Sequence, residues 1–373
     1  MPPAFPQGKA YPAPAAGVLP SVSYRDIFRD ARLQTLIAQA LTNNRDLRIA
    51  AANLAAARAQ VRVTRSAQFP EIGASASAND RRGQGDSYAL QGGVSSFELD
   101  LFGRLANATA AERERALASE ADARTVRIGL VADLANAWVQ YATDRDLSAI
   151  AQDTAANAGK AVELTRRRLN GGIAPRTDLR QAEQGLDTAQ GDVAQQKTAL
   201  AQDANLIRLL LGADFDPALL PGGLAEIDGK FAALAPGTSS AVLLRRPDVE
   251  QAEHLLKAAN ADVGVARADL FPRISLTGLL GLASDALGAL FSGGAFTATA
   301  GADAAYTIFD AGGRRASVAV SEAQRDAALA SYEKAIQTAF REVSDVLAVR
   351  GTIGDRLAAA RANSAAAADT ERL

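Results

Sequence analysis

The chain repeats itself over most of its length. Phe69-Pro70 and Phe271-Pro272 each end a helix-like segment, and the second pair lies 202 positions after the first. The same spacing separates Asp46 from Asp248, which open those two segments. A sequence that repeats folds into a repeated structural unit. Two copies of one unit, each of roughly 200 residues, therefore constrain the architecture more than any other feature.

The second copy is shorter than the first. Ser119 and Ser331 lie 212 positions apart, because the second copy carries a longer insert before this landmark. At that spacing Leu373 corresponds to Ala161, so copy two is expected to lack the part equivalent to Lys160 onward.

These landmarks divide the sequence into four parts. The prediction is an N-terminal extended segment with a short helix, a complete first repeat, an irregular linker and a truncated second repeat. In chain order they cover residues 1–45, 46–212, 213–245 and 246–373.

Composition excludes several classes of function. A net charge of −2 produces no field that favours nucleic acid. The chain has no Cys, which excludes disulfides, thiolate metal ligands and thiol nucleophiles, and His254 is its single histidine. Carboxylates are scattered along the helical segments without a paired acid/base setting. The sequence therefore predicts no enzyme activity, no cofactor and no metal site.

No run of apolar residues is long enough for a transmembrane helix. The start, from Met1 to Pro6, lacks the basic end and apolar centre of a signal peptide, and the Pro- and Ala-rich region to about Pro20 is predicted to be extended. Two interpretations remain open: a cytosolic chain, or a native precursor that starts upstream.

Hydrophobic periodicity predicts long helices separated by pairs of strands. A period near 3.6 residues, ended by Pro or Gly, predicts helices over 27–43, 46–68, 106–170, 178–211, 247–270 and from 315 onward. Alternation with a period of two predicts strands over about 71–81, 87–101, 273–282 and 295–309, with a register change near Ser95-Ser96. Thr177 or Asp178 is expected to cap the 178–211 helix.

The lengths of the predicted helices fit one another. The 106–170 helix has about 65 residues, and the 46–68 and 178–211 helices together have about 57, at the same rise per residue. Each full repeat is therefore expected to form two parallel rods. A strand hairpin joins them at one end, and the turn at 171–176 joins them at the other.

The strands have one apolar and one polar side. In the last strand Ala298, Ala300 and Ala302 alternate with polar residues, among them Thr297, Thr299 and Asp303. This pattern is typical of a barrel wall with a wet lumen, in which those polar residues face the lumen, and it also fits an ordinary half-buried antiparallel sheet. Four strands cannot close a barrel, since open edges leave unpaired backbone groups in lipid. A homotrimer with twelve strands is the simplest closed solution, although other multiples satisfy the same argument.

At this point the chain resembles a known family, the TolC-like outer-membrane efflux factors. The resemblance is to the NodT-type lipoprotein branch, which serves resistance-nodulation-division (RND) efflux systems. The matching motifs run in the right order from Tyr24 to about Gly351. They are Asn43-Asn44-Arg45-Asp46-Leu47-Arg48, Phe97-Glu98-Leu99-Asp100-Leu101-Phe102-Gly103-Arg104, Asp178-Leu179-Arg180-Gln181-Ala182, Leu244-Arg245-Arg246-Pro247-Asp248, Phe271-Pro272-Arg273-Ile274-Ser275-Leu276 and Tyr332-Glu333-Lys334-Ala335-Ile336-Gln337.

The resemblance implies an α+β membrane protein that acts as a passive export tunnel for drugs and other small toxic compounds. A trimer would place a twelve-stranded barrel in outer-membrane lipid, and its coiled helices would form a helical barrel across the periplasm. The implied partners are further copies of the chain, a periplasmic adaptor (membrane-fusion) protein and an inner-membrane RND pump.

The chain departs from the family at both ends. The lipoprotein signal and its Cys are missing, and so are the second helical turn and final helix that would follow Leu373. Without that helix, the stripe Ala339, Val343, Val346 and Leu347 is expected to be partly uncovered. We expect a chain that ends at Leu373 neither to close a periplasmic duct nor to restore drug export.

The resemblance also assigns a docking site to the turn between the two rods. In relatives the adaptor hairpin meets this tip, which implies roles for Leu169, Asn170, Gly171, Gly172, Arg176 and Asp178. The alternative is that these residues only cap two helices. The preceding run Arg166-Arg167-Arg168 fits either contact with a partner or a basic last turn that complements the helix dipole.

Two other functions remain possible on the sequence. A type I protein-secretion channel has the same architecture, although the Asn-Arg-Asp-Leu and Leu-Arg-Arg-Pro-Asp motifs favour the drug-efflux branch. A helical scaffold without a pore fits the missing signal peptide, and it would not fractionate with the outer membrane.

Overall fold

A computed structural model describes residues 4–6, 8, 10, 11, 23–81, 85–232 and 240–372. The predicted extended stretch at 12–20 lies outside the described residues. The chain divides into two compact units. Unit 1 comprises Met1–Tyr11, Ala51–Ala123 and Ser239–Leu373, and unit 2 comprises Pro12–Ala50 and Arg124–Thr238.

Long helices dominate both units. In chain order the α-helices are α1 (Tyr24–Ile27), α2 (Ala31–Asn43), α3 (Arg45–Ser66), α4 (Arg104–Asn170), α5 (Arg176–Leu211), α6 (Leu224–Ile227), α7 (Pro247–Ala268) and α8 (Gly313–Arg372). Short 3-10 turns lie at Pro217–Leu219, Ser240–Arg245 and Leu287–Ala289. No described helix combines the length and the apolar character needed to cross a bilayer.

The four strands form one antiparallel sheet in unit 1. They are β1 (Ile72–Arg81), β2 (Gly85–Glu98), β3 (Arg273–Ser284) and β4 (Phe296–Ala305), in the spatial order β1-β2-β3-β4. The β2–β3 pair joins the two sequence repeats. The pairing of β2 with β3 shifts between Val94 and Phe97, which confirms the register change predicted at Ser95-Ser96.

Two strands end earlier than their alternation predicts. β4 ends at Ala305 because Ala305 pairs with Arg273, the first residue of β3. Beyond that point the Arg314 side chain donates to the Thr307 carbonyl oxygen. The Asp310 carboxylate accepts from the backbone N–H of Arg314 at 3.2 Å. α8 begins at Gly313, two residues before the predicted start at Arg315. β2 ends at Glu98 rather than residue 101, since the Leu101 N–H turns back to the Leu99 carbonyl.

The starts of α2 and α5 also differ from the prediction. α2 begins at Ala31, four residues after the predicted start. The Asp30 carboxylate accepts from the Arg32 N–H at 2.8 Å and caps the helix there. α5 begins at Arg176, with Pro175 in the capping position and no side-chain cap. Neither Thr177 nor Asp178 is therefore the cap of α5.

The core of unit 2 lies between α2, α4 and α5. Leu36, Ile37, Leu134, Trp138 and Ile207 are fully buried in it. The Trp138 ring donates through Nε1 to the Leu219 carbonyl at 3.0 Å, which satisfies its polar atom inside this apolar cluster.

A buried asparagine joins three elements of unit 2. Asn44, which is 2% exposed, lies between α2 and α3. Its Oδ1 accepts from the Leu47 N–H at 3.0 Å and caps α3, and its Nδ2 donates to the Leu210 carbonyl of α5 at 2.8 Å. Asp46 lies inside the first turn of α3 and is not its cap.

In unit 1, α7 and α8 pack together over a smaller core. Ala339 is fully buried with Leu243 and Val249, and Val343 packs against the same cluster. These two residues of the predicted uncovered stripe are thus covered within the chain, because the turn at Ser240–Arg245 lies over them. Val346 remains 66% exposed.

Candidate functional site

The sheet of unit 1 has one polar and one apolar side across all four strands. Directly paired residues lie on the same side of a sheet, so the register assigns each side. Thr297, Thr299 and Asp303 share the polar side, paired with Gly281, Leu279 and Ser275 of β3. The polar side continues through Gln91 and Gly93 of β2 to Ser75 and Gly73 of β1. Leu279 is its one large apolar member.

The opposite side is apolar from edge to edge. Ala298, Ala300 and Ala302 pair with Leu280, Gly278 and Leu276 of β3. Leu90 and Val94 of β2 continue this side to Ala76 and Ile72 of β1. Leu280 is 61% exposed and Ile72 81% exposed, so no described part of the chain covers them. An exposed apolar surface of this extent indicates an interaction site.

The middle of the sheet needs glycine at the seam between the repeats. Gly93 has φ +145°, and a Cβ there would lie 2.2 Å from the Gly278 carbonyl oxygen of β3. Its lack of a side chain therefore lets β2 and β3 approach each other at the point where the two repeats meet.

The change from strand to helix is fixed by an ion pair and a glycine. Arg104 donates from Nε and Nη2 to the two carboxylate oxygens of Glu98, at 2.8 and 2.6 Å. This pair raises the pKa of Arg104. Gly103, with φ +75°, provides the sharp turn between β2 and α4.

The tip between α4 and α5 is a closed turn. The Ile173 N–H donates to the Arg168 carbonyl at 2.9 Å, and the Gly172 N–H donates to the Leu169 carbonyl at 2.9 Å. With Gly172 at φ +75°, these two bonds form a Schellman motif that ends α4.

The structure brings the six predicted tip residues together in this turn. Leu169 is half-buried, whereas Asn170, Gly171, Gly172, Arg176 and Asp178 are exposed.

Sequence reasoning missed Ile173, which lies in the same turn and is 73% exposed. The sequence carries one signal for this residue. It is a large apolar side chain directly after two glycines, where the hydrophobic pattern of the helix has ended.

The charges behind the tip are mostly basic. Within α5, Arg180 donates to Glu183 at 2.7 Å. Arg166 of α4 donates to the other carboxylate oxygen of Glu183 at 3.4 Å, which ties α4 to α5. Arg167 pairs with Glu163 at 3.8 Å within α4. Arg166 and Arg167 thus form ion pairs within the chain, so this part of the basic last turn of α4 needs no partner protein to explain it. Arg166 also holds the two helices together.

His254 is held by a carboxylate. Its Nδ1 lies 2.7 Å from Glu114 Oε2, between α7 and α4. In the part of the chain that the structure describes, no three His, Cys, Asp or Glu side chains gather closely enough to hold a metal ion.

Comparisons with known proteins give a consistent result. The profile of the family described as "Outer membrane efflux protein" matches residues 36–213 and 238–373. Two proteins of Pseudomonas putida, "Antibiotic efflux pump outer membrane protein ArpC" and "Toluene efflux pump outer membrane protein TtgC", are each 41% identical over 374 residues. Both alignments cover 96% of this chain and 76% of the relative.

A solved structure has the same fold. The "Open State of the Neisseria gonorrhoeae MtrE Outer Membrane Channel" superposes with a TM-score of 0.83 at 31% identity. That superposition covers 100% of this chain and 87% of the other.

Proposed function

The chain belongs to the outer membrane efflux protein family, and from this premise we propose that it forms the outer-membrane conduit of a tripartite RND-type pump. Its work is passive: it provides a path across the outer membrane and the periplasm for drugs and other small toxic compounds. Related proteins named for antibiotic and toluene efflux support this class of cargo.

The observation that carries the proposal is the two-sided sheet with two free edges. β1 and β4 are the outer strands, and in the described chain neither has a second neighbour. The apolar side suits contact with lipid and the polar side suits a wet lumen. Backbone groups at both edges must be paired in a bilayer, so copies of the chain have to complete the wall. Three copies, with twelve strands, form the conduit.

Labelling of single cysteines tests the two sides. The chain has no Cys, so Thr299→Cys and Ala300→Cys each introduce the only thiol. In outer membranes, a membrane-impermeant maleimide is expected to label Thr299→Cys and to label Ala300→Cys only after detergent is added. Equal labelling of both positions in membranes would contradict the barrel wall. Native mass spectrometry of the purified protein is expected to show three copies.

The tip supports the second half of the proposal, docking of a periplasmic adaptor. Its turn is rigid, because two backbone hydrogen bonds close it, and it presents Ile173 beside exposed glycines. A Cβ at Gly171 would lie 3.5 Å or more from its neighbours, so a side chain can be introduced there without disturbing the turn. An apolar side chain on a rigid, glycine-lined turn suits a hairpin that packs closely against it.

A bulky residue at the tip tests docking separately from folding. Gly171→Trp, introduced into the chromosomal gene, is expected to abolish crosslinking to the adaptor while the protein still reaches the outer membrane. Gly185→Trp on α5 is the matched control, because a Cβ at Gly185 meets no atom within 4 Å. Undiminished crosslinking of Gly171→Trp would remove the tip from the docking surface.

A further inference from the structure

The two repeats of the chain meet at one seam inside the sheet. β2 of the first repeat pairs antiparallel with β3 of the second, and Phe97 lies opposite Leu276 near the end of this pairing. Just beyond it, the Phe102 ring stacks on the Phe271 ring, with centroids 4.6 Å apart and 11° between the planes. Strand pairing followed by two stacked phenylalanines therefore defines the intrachain seam.

The same features recur at the two free edges of the sheet. Phe309 follows β4 as Phe102 follows β2, since each ring lies four positions after the end of its strand. Phe69 precedes β1 as Phe271 precedes β3, at the repeat spacing of 202. Phe309 is 85% exposed and Phe69 is 58% exposed, and among the described residues neither ring stacks on another. Each edge therefore carries one half of a second seam.

The loop that presents Phe309 is held in place although it is exposed. The Arg314 side chain donates to the Thr307 carbonyl and, from Nε, to Asp310 at 2.9 Å. Its guanidinium also lies 5.0 Å from the centre of the Tyr306 ring. A loop fixed in this way loses little conformational entropy when a partner binds the ring it presents.

The surface beside Phe69 has room for a ring. An open cavity of about 600 Å³ lies at the foot of β1, and its lining includes Phe69, Pro70, Phe97 and Leu105. These four side chains form an apolar place for an aromatic side chain from outside the chain.

A second copy of the chain fits both free edges at once. β4 and β1 run in opposite directions, as β2 and β3 do, because every neighbouring pair in the sheet is antiparallel. Transferring the pairing of Phe97 with Leu276 to the other repeat places Ala304 of one copy opposite Ala74 of the next. Both alanines lie on the apolar side of the sheet. The transferred register therefore keeps the two sides continuous, whereas a slip of one residue would reverse them.

We propose that neighbouring copies join through an interchain seam that repeats the intrachain one. In it, Ala304 of one copy lies opposite Ala74 of the next, and Phe309 stacks on the next copy's Phe69. The contact runs head to tail, so it forms a ring when the rotation between copies closes. The inference rests on the proposed conduit, and it adds the residues and the register by which the copies join.

Paired cysteines test the register in outer membranes. The chain has no Cys, and β1 and β4 of one copy are three strand spacings apart, about 14 Å, so a disulfide between them has to join two copies. Mild oxidation of the double variant Ala304→Cys/Ala74→Cys is expected to produce covalent dimers and trimers. Ala298→Cys/Ala74→Cys is the matched control. Its thiol lies about 20 Å further along β4, so crosslinking is expected to be on the order of tenfold weaker.

Alanine variants test the stacked rings. Phe309→Ala and Phe69→Ala are each expected to dissociate roughly tenfold faster into monomers in detergent, because each removes the same aromatic contact. The double variant is expected to dissociate no faster than either single variant. Both rings are exposed in the single chain, so circular dichroism should show unchanged folding. Phe291→Ala, at a position that is 76% exposed in the β3–β4 connection, is the control and should behave as wild type.

Native mass spectrometry separates failure of the seam from failure of the conduit. Trimers without the Ala304–Ala74 disulfide, or with equal crosslinking of the control pair, would overturn the seam and leave the conduit standing. So would a Phe309→Ala trimer as stable as wild type. Photo-crosslinking from position 309 to lipid or to another protein, and not to a second copy, would assign the ring to that partner and also overturn the seam. A wild type without trimers would overturn the conduit and the seam together.

Discussion

Asn44 is the residue whose removal tests the structure most directly. In Asn44→Ala, the Leu47 N–H loses its cap and the Leu210 carbonyl loses its donor. Loss of a helix cap costs about 1 kcal/mol. A backbone acceptor left without a partner in a buried place costs about 1–3 kcal/mol. The free energy of unfolding of unit 2 is therefore expected to fall by roughly 2–4 kcal/mol.

Urea unfolding followed by tryptophan fluorescence measures this loss. Trp138 is the single tryptophan and is fully buried in the same unit, so its emission reports on unit 2. Asn44→Asp separates the two contributions, because a carboxylate still caps α3 and no longer donates to Leu210. Its loss is expected to be smaller than that of Asn44→Ala. Asn205→Ala, an exposed asparagine of α5, is the control and is expected to change stability by less than about 0.5 kcal/mol. Asn44→Ala at wild-type stability would refute the role of this joint.

The remaining predictions concern unit 1. Gly93→Ala forces a side chain onto a backbone with φ +145° and into the facing carbonyl of β3, so a loss of about 1–3 kcal/mol in sheet stability is expected. Limited proteolysis of the strands measures it, and Gly301→Ala, where a Cβ meets nothing within 4 Å, should be as resistant as wild type. The ion pair with Arg246 lowers the pKa of Asp248, so its contribution is present above the ordinary aspartate pKa and is lost as the pH falls through the lowered value. Circular dichroism should show a smaller loss of stability between about pH 5 and pH 3 for Asp248→Asn than for wild type, and equal losses would contradict this pairing.

Local pattern predicted much of the fold. The change from helical to two-residue periodicity located all four strands, because each period reports which neighbours a side chain meets along its own segment. The register change at Ser95-Ser96 was also predicted, since it is marked by residues at the site itself. The adaptor role of the tip and the lumen role of Thr297, Thr299 and Asp303 remain predictions.

Contacts between distant segments were not predictable in the same way. The stripe of Ala339, Val343, Val346 and Leu347 was expected to be partly uncovered, and Val346 is indeed 66% exposed. The cover over Ala339 and Val343 could not be predicted, because the turn at Ser240–Arg245 that provides it has no matching period. Carboxylates appeared scattered along the helices, yet packing of α7 against α4 places Glu114 Oε2 2.7 Å from His254 Nδ1.

The sequence by itself determined the two repeats, the order of rods and strands, and the polar and apolar sides of the sheet. These follow from side-chain periodicity, which acts within one segment. Only the tertiary structure decided that Asn44 joins α3 to α5 and that Glu114 of α4 contacts His254 of α7. Such contacts depend on how far one long helix is displaced along another, and that displacement is set by packing of the whole interface rather than by any single residue.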